Sequence, residues 1–224
     1  MFMRMEAQTS PDKERTDLRR VRGARTRQAI LAHAARLASA EGLEAVSLQR
    51  LAGDLGISKS GLFAHFGSKQ ELQLATVEEA ARVFAEEVLK PGLRPPAGLG
   101  RVWALCEAFL SYVERSVFPG GCFFQAALAE FDARPGAIHD SVVEKRRYWG
   151  SSLARALREA QAAGEVREGV DTDQLAWELD CLLSGANAAY AVAREHVFLD
   201  RCRRGLRDRL NAAASPSAPR LAAN

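Results

Sequence analysis

Apolar residues recur along this chain at intervals of three and four, the spacing that lines one face of an α-helix. Ile30, Ala34 and Leu37 form such a stripe and predict a first helix over Thr26–Ala40, closed by Gly42. Ser47 then stands before Leu48, Leu51, Ala52 and Leu55, a capped short helix that Gly56 breaks. Ser58 opens a second short helix, KSGLFAHF, which ends at Gly67. Ser68 with Glu71 three residues on forms a capping box for a longer helix over Lys69–Lys90.

PGLRPPAGLG, from Pro91 to Gly100, holds three prolines and three glycines and predicts a break. Further helices follow over Arg101–Arg115, Cys122–Glu130, Pro135–Gly164, Thr172–Val192 (capped by Asp171) and Glu195–Leu210. The predicted fold is all-α: a small N-terminal helical unit over residues 20–68, then a larger one over 69–211. Residues 1–19 and 212–224, polar or proline-broken, are expected to be flexible tails.

Composition adds limits. Of 224 residues, 47% are hydrophobic and 26% charged, enough to bury a core without disulfide or metal staples. No apolar run reaches the roughly 20 residues that a membrane span needs, and the start turns polar too early for a secretory signal. A cytoplasmic protein with no membrane partner is expected. Cys106, Cys122, Cys181 and Cys202 form no metal-ligand spacing, and His33, His65, His139 and His196 are scattered. Phosphate-loop, zinc-protease and serine-hydrolase motifs are absent, so no catalytic residue, metal or cofactor is expected.

The net charge of +3 conceals an uneven distribution. Residues 19–69 carry nine basic and three acidic groups, whereas residues 70–193 carry twelve and eighteen. That balance suits a protein meeting a polyanion at one end. The segment SLQRLAGDLGISKSGLFAHF, Ser47 to Phe66, sets two short helices about a glycine turn, with Ile57 at the corner. This is the geometry that presents a helix to the DNA major groove. A plain helical hairpin fits the same pattern.

ISKSGLFAHFGSKQEL resembles the recognition helix and following turn of TetR-family transcriptional regulators, and the likeness covers roughly residues 25 to 75. GGCFFQAALAEFDARPG resembles, more loosely, a block from one branch of that family. The resemblance implies a three-helix DNA-binding head, a linking fourth helix and a domain for effector binding and dimerisation. It assigns DNA contacts to Ser47, Lys59, Ser60, Gly61, Phe63, Ala64, His65 and Lys69. Phe63 stands where the family usually has tyrosine, so a phosphate-directed hydroxyl is missing there. Arg19, Arg20, Arg22 and Arg25 fit either an arm over the DNA backbone or a solvated stretch.

For the larger domain the family places a ligand pocket among the middle helices. Trp103, Phe109, Cys122, Phe124 and Trp149 are its candidate lining, with Glu107, Tyr112 or Glu130 as polar anchors; each aromatic fits an ordinary core equally. The implied effector is a small apolar or amphipathic molecule. Cys106 and Cys122 fit either buried thiols or a thiol sensor. Leu175, Leu179, Leu182, Leu183, Ala186 and Ala189 recur at helical spacing and are the candidate homodimer interface, although burial within one chain fits too. The expected partner is a near-palindromic double-stranded operator, and the expected function is repression relieved by the effector. The alternative is a helical ligand-binding or scaffold protein whose small domain makes protein contacts.

Overall fold

The computed structural model describes residues 11–222. Their ordered elements are helices: α1 (Pro11–Glu41), α2 (Leu48–Leu55), α3 (Lys59–Phe63), α4 (Lys69–Phe84), a π-helical turn (Ala85–Leu89), α5 (Lys90–Gly92), α6 (Leu99–Glu114), α7 (Phe123–Phe131), α8 (Ala137–Ala162), α9 (Thr172–Ala193) and α10 (Val197–Ala213). Among the described residues no helix is long and apolar enough to cross a membrane.

The caps explain the boundaries of the short elements. Ser47 accepts a hydrogen bond from Arg50 N, Ser58 from Gly61 N, and Ser68 from Glu71 N. The Glu71 carboxylate reaches back to Gly67 N at 3.0 Å, one residue earlier than a standard capping box. Gly56 ends α2 at φ 64°, ψ 27°, a left-handed conformation that would strain a residue with a Cβ. Asp171 caps α9 by accepting from Asp173 N and Gln174 N.

Two cores form. In the head, Ile30, Ala34, Leu37, Leu43, Val46, Leu51, Leu62 and Phe66 are buried, so α1, α2 and α3 close on one another and on Leu72 of α4. In the larger domain Phe84 is the hub. Its ring stands edge-on to Tyr112 at 5.7 Å, Phe124 at 6.0 Å and Trp149 at 5.3 Å, with Phe109 at 6.3 Å.

Five expectations need correction. The first helix begins at Pro11, not Thr26, because the polar stretch before Thr26 carries no helix breaker beyond Gly23. Of the expected tail over residues 1–19, residues 1–10 lie outside the described residues, and the backbone from Pro11 is helical. The break at Pro91–Gly100 is shorter than expected: the helical run continues through the π-helical turn to Gly92, with Pro91 inside it, and residues 93–98 are non-helical. Pro135, expected in the first turn of a long helix, lies before it, since α8 starts after Gly136. The end of the chain is also held. Ser215 N donates to Glu165 O at 2.8 Å, and Leu221 N donates to Asn211 Oδ1 at 3.0 Å.

Candidate nucleic-acid interface and sensor cavity

The turn between α2 and α3 is closed by Ile57 N donating to Ala52 O at 3.1 Å. Leu62 and Phe66 point into the head core, which leaves Lys59, Ser60, Phe63 and Ala64 exposed on α3 and just beyond it. Gly61 and His65 are half-buried. A Cβ at Gly61 would lie 3.1 Å from Ser58 Oγ and 3.4 Å from Ile57 Cγ2, so the cap itself favours glycine there. Phe63 is 46% exposed, a large apolar ring offered outward from a five-residue helix. Ser47 accepts within the cap of α2 through its oxygen, and its hydroxyl proton is left to donate elsewhere.

Much of the basic charge in the head is internally committed. Lys69 pairs with Glu44, and that hydrogen bond, against some desolvation, holds the Glu44 carboxyl below its ordinary range. Arg50 lies 3.1 Å from both Glu41 and Asp54, and these partners raise its pKa. His33 lies 3.0 Å from Asp54, whose carboxyl is held low first by that contact and then by Arg50. Arg27 lies 4.8 Å over the Phe66 ring. Lys59 makes no ion pair among the described residues, so its charge is available to a phosphate or a base edge. Arg20, Arg22 and Arg25 are exposed along α1, and the backbone at Arg19 is helical. The expected arm is therefore a helix face.

In the larger domain a cavity of about 380 Å³ lies against the π-helical turn. Ala81, Phe84, Ala85 and Leu89 form one wall, Phe124 another, and Glu144, Lys145, Tyr148 and Trp149 the third. A void of about 20 Å³ adjoins it, lined by Phe109, Cys122, Gln125 and Arg146 together with four of the same residues. The structure thus brings Phe109, Cys122, Phe124 and Trp149 together. Tyr112 is buried behind Phe84, with its hydroxyl accepting from Phe123 N at 3.5 Å. Lys145 is held by Glu78 at 2.9 Å, while Arg146 and Trp149 Nε1 both bond Asp180, each at 2.9 Å.

Trp103 and Glu107 do not join this group. They line a separate cleft with Asp200, Arg203, Arg204 and Arg207, where Arg203 lies 3.2 Å from Glu107. They sit on the side of α6 that faces α10. Glu130 is no pocket anchor either; it bonds the backbone of the head. Burial pushes the thiols of Cys106 and Cys122 up, and that of Cys202 up to about 12, so all three are protonated near neutrality and poor redox sensors.

Sequence reasoning missed Phe84, Tyr148 and Lys145. Phe84 had a signal, as the sole aromatic residue between Lys69 and Gly92. Lys145 had none, because an exposed helix face reads the same as a cavity wall.

The expected dimer stripe is used inside the protomer. Leu175, Leu179, Leu183 and Ala186 are buried against α8 and α10, and Leu182 and Ala189 are half-buried. A periodic stripe reports burial but not what does the burying. The opposite face of α9 is open: Trp177 is 63% exposed and Val192 88%, with Cys181, Gly185 and Ala188 between them.

Known proteins resemble this chain in sequence and in fold. Residues 30–76 match a family described as "Bacterial regulatory proteins, tetR family", and residues 98–206 match "Tetracyclin repressor-like, C-terminal domain". The HTH-type transcriptional repressor AcnR of Corynebacterium diphtheriae is 39% identical over 175 residues, 78% of this chain and 86% of that protein. AcnR of Corynebacterium efficiens is 40% identical over 68 residues, so the match spans only 36% of that protein and 30% of this chain. In fold, a TetR transcriptional regulator from Chloroflexus aurantiacus superposes with a TM-score of 0.80 at 24% identity, covering 86% of this chain and 98% of the other.

Proposed function

This chain belongs to the TetR family of bacterial transcriptional regulators, and from that premise we propose that it is a homodimeric, sequence-specific repressor released from its operator by a small molecule. Residues 20–68 are the DNA-reading head, and residues 69–211 bind the effector and the second copy. Lys59, Ser60, Gly61, Phe63 and Ala64 face the major groove, while Ser47, His65 and Lys69 meet flanking phosphates, Lys69 by exchanging Glu44 for the phosphate.

The observation that carries this reading is the course of α4. Its first turn, at Lys69, adjoins the recognition helix, and its last turn, through Ala81 and Phe84, lines the cavity. One helix therefore touches both the proposed DNA-reading unit and the proposed effector site. The π-helical turn beside the cavity supports the same reading, since such irregularities are enriched at functional sites. The cavity lining is largely aromatic and aliphatic with Glu144 and Lys145 at one wall, which suits an apolar body carrying one polar end.

Lys59 is the cation of the recognition helix, without an ion pair among the described residues, and few direct phosphate neutralisations are available per head, so a single head holds DNA weakly. Two heads about 34–36 Å apart on a two-fold symmetric site remove that weakness. The second copy packs on the exposed face of α9 around Trp177, Cys181, Ala188 and Val192. Small residues there permit close helix approach, and Trp177 supplies the large apolar anchor.

The test is selection from a random-sequence duplex library at about 0.15 M salt. The expected result is a two-fold symmetric motif whose enrichment disappears when Lys59 and His65 are both replaced by alanine. A folded dimer that enriches no motif in repeated rounds removes the DNA-reading claim and favours a scaffold whose small domain binds protein.

A further inference from the structure

The head and the larger domain meet along a seam where Arg36 of α1 donates to Val117 O at 3.1 Å and Gly120 N donates to Ser39 Oγ at 3.4 Å, and where one carboxylate holds the turn after α1. Glu130 lies in the last turn of α7, where a negative charge is electrostatically unfavourable because carbonyl oxygens crowd the helix end. Its position is explained by what it grips. Leu43 N donates to Glu130 Oε2 at 2.6 Å and Glu44 N donates to Oε1 at 2.9 Å. These amides belong to the turn joining α1 to α2, and neither donates to another backbone acceptor among the described residues. A carboxylate accepting two N–H groups forms a pair of charge-assisted bonds that fixes direction as well as distance. From the other side, Gln73 of α4 donates to Leu43 O at 3.0 Å. The turn that leads into α2 is held between two helices of the larger domain.

The opposite end of α7 is at the cavity. Phe124, in the first turn, forms part of the cavity wall. α7 has nine residues and is about 13 Å long, too short to bend appreciably, so a displacement at Phe124 is carried to Glu130. The start of α7 is tethered to α9 by Cys122 N donating to Asn187 Oδ1 at 2.8 Å, which makes that end a pivot.

We propose that Glu130 is the positioning residue that sets the angle of the DNA-reading head, and that occupancy of the cavity acts on the head by tilting α7 and slackening this grip. The second half rests on the cavity being the effector site. The first half does not. The turn's remaining ties, Gln73 to Leu43 O and Lys69 to Glu44, both come from α4, and the head gains freedom about that helix.

The test uses the full chain with Glu130→Ala, the more conservative Glu130→Gln, and Ala85→Phe, which fills part of the cavity in place of an unidentified ligand. Amide hydrogen exchange at Leu43 and Glu44 reads the grip directly. It is expected to rise about tenfold or more in Glu130→Ala and less in Glu130→Gln, which keeps one acceptor oxygen. Affinity for the selected operator duplex reads the coupling. Ala85→Phe is expected to weaken it about tenfold when Glu130 is present and less than about twofold in the Glu130→Ala background, a non-additivity that a purely structural residue does not produce.

Unchanged protection in both Glu130 variants overturns the grip. Equal loss from Ala85→Phe in both backgrounds overturns the coupling through Glu130. If Ala85→Phe changes affinity in neither background, the cavity reading and the coupling fall together, while the exchange result still decides the grip. Should Glu130→Ala fail to fold, the Glu130→Gln result stands alone as the arbiter of both.

Discussion

The head and the larger domain bury apolar surface in different ways. The head is built from aliphatic side chains around one ring, Phe66, and its short helices are finished by serine caps and surface ion pairs. The larger domain stacks rings around Phe84 and still leaves about 380 Å³ empty beside them. A unit that must hold a five-residue helix at a fixed angle has no core to spare, so each cap and each ring matters. A unit with surplus core tolerates an open space, and that space can accept a ligand. The contrast teaches that the short recognition helix depends on caps and a tight aliphatic core, whereas the aromatic core of the larger domain leaves an open space beside Phe84.

The largest expected effect tests the head. Phe66→Ala removes its one core ring and should cost about 3–5 kcal/mol. Hydrogen exchange across α1 to α3 should accelerate, while the near-ultraviolet signal of Trp149 in the larger domain changes little. Simultaneous loss of both signals would show that the two units unfold as one.

Next comes the seam between them. A Cβ at Gly120 would lie 1.6 Å from the backbone oxygen of Ser39, which cannot move aside as a side chain can. Gly120→Ala should cost about 1–3 kcal/mol or more in thermal unfolding. Gly100→Ala, where a Cβ meets nothing within 4 Å, should be neutral or slightly stabilising. Equal effects would mean that the seam is loose.

A smaller effect separates folding from reading within the head. Ser47→Ala should lose about 1 kcal/mol of stability through its cap. Lys59→Ala should stay within about 0.5 kcal/mol in stability but bind operator more weakly. If Lys59 meets a phosphate, the salt dependence of log affinity loses about one unit of slope; if it meets a base edge, the slope holds and sequence preference relaxes at one position.

The smallest effect compares acid sensitivity. In the larger domain Glu114 is partly desolvated, which raises its pKa. Arg203 at 2.9 Å and His196 at 3.0 Å outweigh that and hold the carboxyl below its ordinary range. A depressed carboxyl contributes fully above its unfolded pKa of about 4.3 and loses the contribution as pH falls through the folded value. Urea midpoints measured downward from pH 6 should therefore fall less steeply in Glu114→Gln. Asp54→Asn in the head should flatten the same limb less, because its pairs with His33 and Arg50 are exposed and screened.

How much was legible follows from what each signal reports. The helix-turn-helix was readable residue by residue, since Ser47, Gly56, Ser58 and Ser68 act on their own neighbours in sequence. Phe109, Phe124 and Trp149 meet in the core of the larger domain because large apolar rings are buried by type, and Cys122, a small apolar side chain, joins them there. Trp103 was misplaced for the same reason, as its ring type does not say which helix it faces. The stripe from Leu175 to Ala186 was read as an interface, yet periodicity reports that a face is covered and not by which surface.

Local chemistry, then, was settled by the amino-acid order alone: the caps, the glycine turn, the helix count around the reading head and the all-helical class. Each depends on groups within a few residues of one another, whose energies are nearly the same in any surroundings. The tertiary structure decided what depends on distant groups meeting: the empty space beside Phe84, the free face of α9 and the Glu130 grip on Leu43 and Glu44. Glu130 and Leu43 are 87 residues apart. Nothing local requires them to meet, and the packing of α7 on α1 brings a carboxylate to two amides that have no other partner among the described residues.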